Sequence, residues 1–526
     1  MSTHSVSAGK VSAPVRIPAR AVAAAWRTHA WLAAGAIGFL AFCISWIVAD
    51  RLVLTSDEGI FLNSGVSVLR GAVPYRDFFA NTGPGTFWLL AAVFRIFGVT
   101  LRGAHLLVAL DLWVIIGLTY WLTSRLTGAV AAFWSAMLCA ALFLSSPTNV
   151  VINHRWDANA LAFASIAAGA YAIESSKRTA AFLAGVLGIL AAWVTPPVGL
   201  VAIVIALRLL LDTSTRRLGI LHLGGAALGV LAPAVYLGSQ GGLTPMIQSL
   251  VWNASHYSTA NRVPYGFVFG GMTALFAGVH GIEWVQRVLF LIPFLLPATL
   301  PPLAALAWAP ALRSPRRMEV FLLLCGGALV ASNYPRCDLL HLLYVCPIFV
   351  VLGAAWLQRN ATRFARAMVL LAILLPAAAM CRQNLAAANE TAVDTRVGTV
   401  RVSDGNAPAV RMSLAHVRPG DSLFVFPYEP MFYFLTGGRN PTRYFWLQPG
   451  MMSDDDERTA LAELRAHPPE WILFRDLQPR DYLRIWPGTD PARLRMPSIE
   501  EFIRARYQFY DRARNGDGER LLLKRR

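Results

Sequence analysis

About thirteen apolar runs follow one another between residues 30 and 381, separated by short loops that carry arginines. The first of them, 30–49, is about 20 residues long, enough to span ~30 Å of hydrocarbon. A series of this kind restricts the chain to a polytopic α-helical membrane protein. Composition agrees, with 56% of residues hydrophobic and 15% charged, where a soluble domain carries about 25% charged residues. The net charge of +17 would suggest nucleic acid in a soluble protein. Here the arginines sit in short loops between apolar runs, the pattern of cytoplasmic loops, and no nucleic-acid partner is expected. The first run ends in Trp-Ile-Val-Ala-Asp rather than at a small-residue cleavage site, so it reads as an anchor behind a basic cytoplasmic tail, 1–29. The six cysteines have no CxxC spacing and indicate neither a disulfide framework nor a zinc site.

Two runs are poor spans. Residues 84–97 are about 14 long, roughly 21 Å as a helix, and contain Arg95; an interfacial helix suits them better. The run 266–280 is short, rich in Gly and Ala, and ends at His280. Eleven spans remain: 30–49, 103–123, 128–146, 157–174, 180–194, 197–211, 218–238, 288–309, 318–334, 338–357 and 367–381. With eleven, every basic cluster between spans falls inside: Arg125, Lys177-Arg178, Arg216-Arg217, Arg313 with Arg316-Arg317, and Arg359, Arg363 and Arg366. If 266–280 crossed, the Arg313 cluster would fall outside.

The same threading gathers a polar set on the outer face. Asp57, Glu58, Arg76 and Asp77 lie in the first outer loop, 50–102; His154, Arg155 and Asp157 open the fourth span. Asn253, His256 and Tyr257 lie in the loop 239–287, and Arg336, Asp338 and His341 in the turn SNYPRCDLLH. Acids at a bilayer surface are costly unless they do chemistry or pair with something. Turns at Gly71–Tyr75 and Gly83–Gly85 fix the backbone on either side of Asp77. Asp111, in the middle of the second span, reads as a buried member of a polar pair. Beyond 381 the chain becomes polar. Ser422–Phe426 and Trp471–Phe474 read as strands, Glu457–His467 as a helix and Asn515–Gly518 as a hairpin turn, giving a small α/β domain over 382–526 on the periplasmic side.

Several of these stretches resemble the GT-C glycosyltransferase superfamily, and within it the bacterial relatives of protein O-mannosyltransferases and of the lipid A aminoarabinose transferase. They are Asp57-Glu58 after the first span, RGAVPYRDFFANTGPGTFWLLAAVFRIFG, Arg155-Trp-Asp157 opening the fourth span, Arg336-Cys-Asp338-Leu-Leu-His341, and PYEPMFYFLTGGRNPTRY near the C-terminus. The chain departs at Thr82-Gly83-Pro84, where relatives usually have Glu-Lys-Pro or His-Pro-Pro, and at Thr195-Pro196-Pro197, where many carry a Lys. These positions serve metal or lipid phosphate in some relatives, so a divalent cation is left open.

The resemblance implies an inverting transferase of the bacterial inner membrane. It would take a sugar from a polyprenyl-phosphate donor to a lipid, polysaccharide or protein acceptor at the periplasmic face. Deprotonating the acceptor needs a positioned carboxylate, and the leaving phosphate needs cations. Asp57 is the first candidate base and Glu58 the second, against an interfacial pair bonded to helix-end amides. Asp77 and Asp157 would orient substrate or hold a cation, against salt bridges to Arg76 and Arg155. Arg155 and Arg336 would meet phosphate, against snorkelling to headgroups; Asp338 and His341 complete the substrate-binding set. Tyr428, Glu429, Tyr433 and Arg443 would touch acceptor or simply fold their loop. Two rivals are a non-catalytic or ligase-type component of glycan assembly and a secondary transporter. The latter puts ionisable groups at mid-membrane on repeated, broken helices, and no repeat appears here.

Overall fold

The protein is described by a computed structural model covering residues 19–269, 271–314, 317–386, 389–515 and 518–526. The tail up to residue 18, Arg316, the Gly516-Asp517 pair and the side chain of Tyr257 lie outside the described residues. The apolar runs are helices, because within lipid a backbone must satisfy its own hydrogen bonds. In order they are α1 (Ala19–Ile47), α2 (Ser56–Leu69), α3 (Gly85–Phe97), α4 (Leu101–Leu126), α5 (Ala129–Phe143), α6 (His154–Ser175), α7 (Arg178–Val194), α8 (Leu200–Leu211) and α9 (Arg216–Ser239). After α10 (Leu243–Trp252) and the single turn α11 (Ser258–Ala260) come α12 (Ile282–Trp308), α13 (Met318–Ala331), α14 (Leu339–Asn360) and α15 (Arg363–Leu385).

Each of the eleven expected spans coincides with one of these helices. Six segments are long and apolar enough to cross a membrane by length and composition: His29–Ile47, Leu101–Leu126, Arg216–Ser239, Ile282–Arg313, Leu339–Asn360 and Arg363–Leu385. The two rejected runs form the short helix α3 and, in the second case, β2 (Val263–Phe267) followed by a 3-10 turn. Small residues set the helix contacts, as is usual in membranes. A Cβ on Gly185 of α7 would lie 2.0 Å from the His222 carbonyl, and one on Gly225 of α9 would lie 2.0 Å from that of Phe182.

The C-terminal unit holds α16 (Ala407–His416), α17 (Met431–Thr436), α18 (Asp454–Ala466), α19 (Pro479–Ile485) and α20 (Pro497–Arg506). Its main sheet runs β6 (Leu423–Phe426), β7 (Trp471–Arg475), β9 (Gly518–Arg525), β8 (Tyr507–Asn515), with β6 and β7 parallel. Strand β6 is buried on both faces. Leu423 and Val425 join the core that runs on from the helical bundle, while Phe424 and Phe426 join a second core with Trp446, Leu464 and Phe502. That alternation is the period of two of a strand.

This unit grips the first loop. The short β1 (Arg51–Leu52) pairs in parallel with β5 (Gly398–Ser403), itself antiparallel to β4 (Glu390–Thr395), and a further small strand, β3 (Arg336–Asp338), pairs with β2. Buried Arg51 binds Glu390 at 2.6 Å and the Asn384 carbonyl at 2.8 Å. Arg443 donates to the Tyr75 carbonyl at 2.6 Å, and Asn63 on α2 donates to that of Pro430 at 2.8 Å. Gly59, next but one to Asp57, packs so closely that a Cβ would lie 2.3 Å from the Met431 nitrogen. Gly59→Ala is therefore expected to destabilise the folded protein by about 1–3 kcal/mol, the usual cost of overpacking. An unchanged melting temperature in detergent would mean that the α2–α17 contact is loose.

Candidate active site

Asp57 and Glu58 lie in the first turn of α2. Successive helical residues point about 100° apart, so the two acids part company. Glu58 is fully buried. Its Oε1 lies 2.6 Å from His105 Nε2 and accepts the Ile152 amide at 3.0 Å, while His105 Nδ1 donates to the Ala49 carbonyl at 2.7 Å. Glu58 thus ties α2 to α4 and to the loop before α6.

Asp57 points the other way and reaches solvent. It does so with protein crowded around it. Desolvation pushes its carboxyl above the usual aspartate range, Asp338 adds to this, and Arg336 and His341 oppose it. Its surroundings come from the α13–α14 turn. Arg336 is buried and donates from Nε to Asp338 at 2.7 Å, from one terminal nitrogen to Asn261 at 2.7 Å and from the other to the Ile485 carbonyl at 3.2 Å. Three of its five N–H donors are engaged in this way. Asp338 caps α14 and also accepts from His341 Nδ1 at 2.8 Å. A carboxylate only accepts, so the proton sits on Nδ1, and Nε2 of a neutral ring is an acceptor. Arg155, at the start of α6, donates to Asn333 Oδ1 at 3.1 Å and to the Ser332 carbonyl at 3.4 Å, on the same turn. One end of the bundle therefore gathers Asp57, Arg155, Arg336, Asp338 and His341.

Asp77 and Asp157 are engaged elsewhere. The Arg76 guanidinium binds both oxygens of Asp77 at 2.8 Å, the Val73 amide donates at 2.7 Å, and the Arg76 bond holds the Asp77 carboxyl below its ordinary range. Asp157 is buried, accepts from the Thr86 hydroxyl and shares a hydrogen bond with Asp111. Asp111 is thus the paired buried acid that its depth suggested. Of the two bridges to sequence neighbours first considered, the Asp77–Arg76 bridge forms, whereas Asp157 turns to Thr86 and Asp111. His154 turns to Thr195 Oγ1 at 2.6 Å and packs on Phe61, Asn253 donates to the Asn81 carbonyl at 2.7 Å, and exposed His256 stacks on Trp252.

The family-like C-terminal segment is braced within its own unit and against the first loop, and its Tyr428 feels the charge of Asp57. Glu429 is clamped by Arg475 and Arg520, the Tyr433 hydroxyl accepts the Val425 amide at 2.8 Å, and Tyr428 packs on Trp486. Sequence reasoning missed Tyr344, whose buried hydroxyl has no hydrogen-bond partner among the described residues and which feels the charges of Asp57, Asp338 and Arg155. It stands three residues after His341, a helical neighbour, and that spacing was a usable signal. Asn261, which braces Arg336, carried none.

Apart from Asp57, the carboxylates considered for a divalent cation already have partners. Asp338 is taken up by Arg336 and His341, Asp77 by Arg76 and Asp157 by Thr86 and Asp111. Among the described residues no three His, Cys, Asp or Glu side chains group as a metal site would require.

No family model matches the chain, and no curated relative matches it by sequence. Solved structures do match. ArnT from Cupriavidus metallidurans bound to undecaprenyl phosphate aligns with a TM-score of 0.54 at 13% identity, over 94% of this chain and 97% of that one. The archaeal oligosaccharyltransferase AglB from Archaeoglobus fulgidus, in complex with an inhibitory peptide and a dolichol-phosphate, aligns with a TM-score of 0.52 at 10% identity, over 85% and 69%. At such identities the likeness establishes the fold alone: the chain shares the fold of these two structures.

Proposed function

We propose that the protein is an inverting glycosyltransferase of the bacterial inner membrane that uses a polyprenyl-phosphate sugar, with its site and C-terminal unit on the periplasmic face. The observation that carries this reading is Asp57, a solvent-reaching carboxylate set among Arg336, Arg155 and His341. Undecaprenyl phosphate and dolichol-phosphate, held by the two neighbours, are the class of lipid carrier assigned here.

In the reaction an acceptor hydroxyl or amine, on a lipid, polysaccharide or protein, attacks the anomeric carbon. The new bond forms as the carbon–oxygen bond to phosphate breaks, and the acceptor proton passes to Asp57. Polyprenyl phosphate departs as an anion near Arg155 and Arg336, whose positive charge favours it more as charge develops. Two donors of Arg336 remain for that role beyond those bound to protein. Asp338 orients His341 and steadies Arg336, so it positions rather than reacts, and Glu58 anchors the turn that carries Asp57.

A base works only when ionised. Because the protein crowded around the Asp57 carboxyl desolvates it and pushes it up, transfer should fall as pH drops through a value above the ordinary aspartate value of ~3.9. We expect kcat/KM, which reports the free enzyme, to be level near neutrality and to decline on the acid side before that ordinary value is reached. A profile flat down to about pH 4 would contradict the assignment of Asp57 as base.

A further inference from the structure

Two cavities lie away from Asp57, both against α15. One of 740 Å³ opens between α5, α12, α14 and α15, and one of 590 Å³ lies between α1, α5 and α15; Trp134 lines both. Helix α15 is loosely held, with only Ala377 and Asn384 buried. The larger cavity lies toward the basic end of the bundle. Asp338 caps one end of α14, beside Asp57, and Arg359 at the other end reaches Glu319 at the start of α13. Helix α14 is 22 residues long, which sets its ends about 33 Å apart.

The rim and depth of this cavity differ in chemistry. Its rim carries Arg363 and Arg366, the latter donating to Gln358, and no Asp or Glu lines it among the described residues. Deeper, its walls are apolar. Gly353 keeps the slot open: a Cβ there would meet nothing nearer than a Leu300 methyl at 3.9 Å. The step from Gln358 to Gly353 is five residues, about 8 Å inward. The volume is that of an ordinary small-molecule site, roughly 300–1,000 Å³.

Two guanidinium groups at a helix end, above an apolar slot that runs toward mid-membrane, complement an anionic headgroup on an acyl chain. We propose that this cavity binds one anionic glycerophospholipid, its phosphate on Arg363 and Arg366 and an acyl chain between α5 and α14. Guanidinium donors suit phosphate oxygens in pairs. A zwitterionic headgroup adds an ammonium that the same arginines repel. The assignment does not rest on the reading of Asp57.

Native mass spectrometry of the full chain in mild detergent tests it, with dioleoylphosphatidylglycerol and dioleoylphosphatidylcholine added at equal concentration. The wild-type chain should retain one phosphatidylglycerol with roughly ten- to thirtyfold preference, the scale expected of two basic residues at a membrane surface. Arg363→Gln with Arg366→Gln should abolish the preference. Gly353→Phe, which fills the slot and keeps the arginines, should lower retention of both lipids. Equal retention by the wild-type chain overturns the proposal whether or not the variants fold. An unchanged preference in a folded double variant also overturns it, by placing the lipid around the bundle as a whole.

Discussion

Asp57→Asn should slow sugar transfer by about 10²–10⁴-fold, the range for losing a general base, while the chain is made and inserted at normal levels. Asparagine keeps the shape of the side chain and most of its hydrogen bonding but cannot take the acceptor proton. The change should cost little stability, because the Asp57 carboxylate reaches solvent and is not part of the Glu58 anchor. Donor binding should persist, since the arginines near the leaving phosphate are untouched. The check is the initial rate of consumption of a polyprenyl-phosphate sugar by purified protein, beside donor affinity measured on the same sample. Full turnover in the variant would remove Asp57 from the mechanism. Loss of donor affinity equal to the loss of rate would make it a binding group instead.

Glu58→Ala should fail in the opposite manner. Its carboxylate is fully buried against His105, with the Ile152 amide as a second partner. Removing one member of a buried pair leaves the other without compensation, at about 3–5 kcal/mol. The variant should melt far below the wild-type chain in detergent and accumulate poorly. The molecules that do fold should keep a larger share of turnover than Asp57→Asn retains. A stable Glu58→Ala with no activity would exchange the roles of the two acids.

The contrast within this pair marks how far the sequence could be read. The place of the acids just after the first apolar run, the helices under the apolar runs and the strands at Leu423–Phe426 and Trp471–Arg475 follow from length and periodicity, which local residues determine. The sequence placed Arg336, Asp338 and His341 in one turn, and their contacts are equally local, because a capping Asp meets the residue three positions on. Which acid faces solvent did not follow, since His105 and Ile152 come from distant segments. Arg155 and Asp157 show a limit that was legible. Residues two apart on a helix point to different sides, so one reaches the Asn333 turn while the other meets Thr86 and Asp111. The engagement of Asp77 by Arg76 was visible as the alternative from the outset, and the fold of its loop decides for it.

The central claim is that this chain adds a sugar to a cell-envelope acceptor through Asp57. Mass analysis of surface glycans from a strain lacking the gene tests it most directly, with the wild-type chain or Asp57→Asn restored at equal levels. The expected result is a glycan, lipid or protein species lighter by one sugar residue, returned to full mass by the wild-type chain and not by the variant. An unchanged envelope in the deletion strain, or full restoration by Asp57→Asn, would contradict the account.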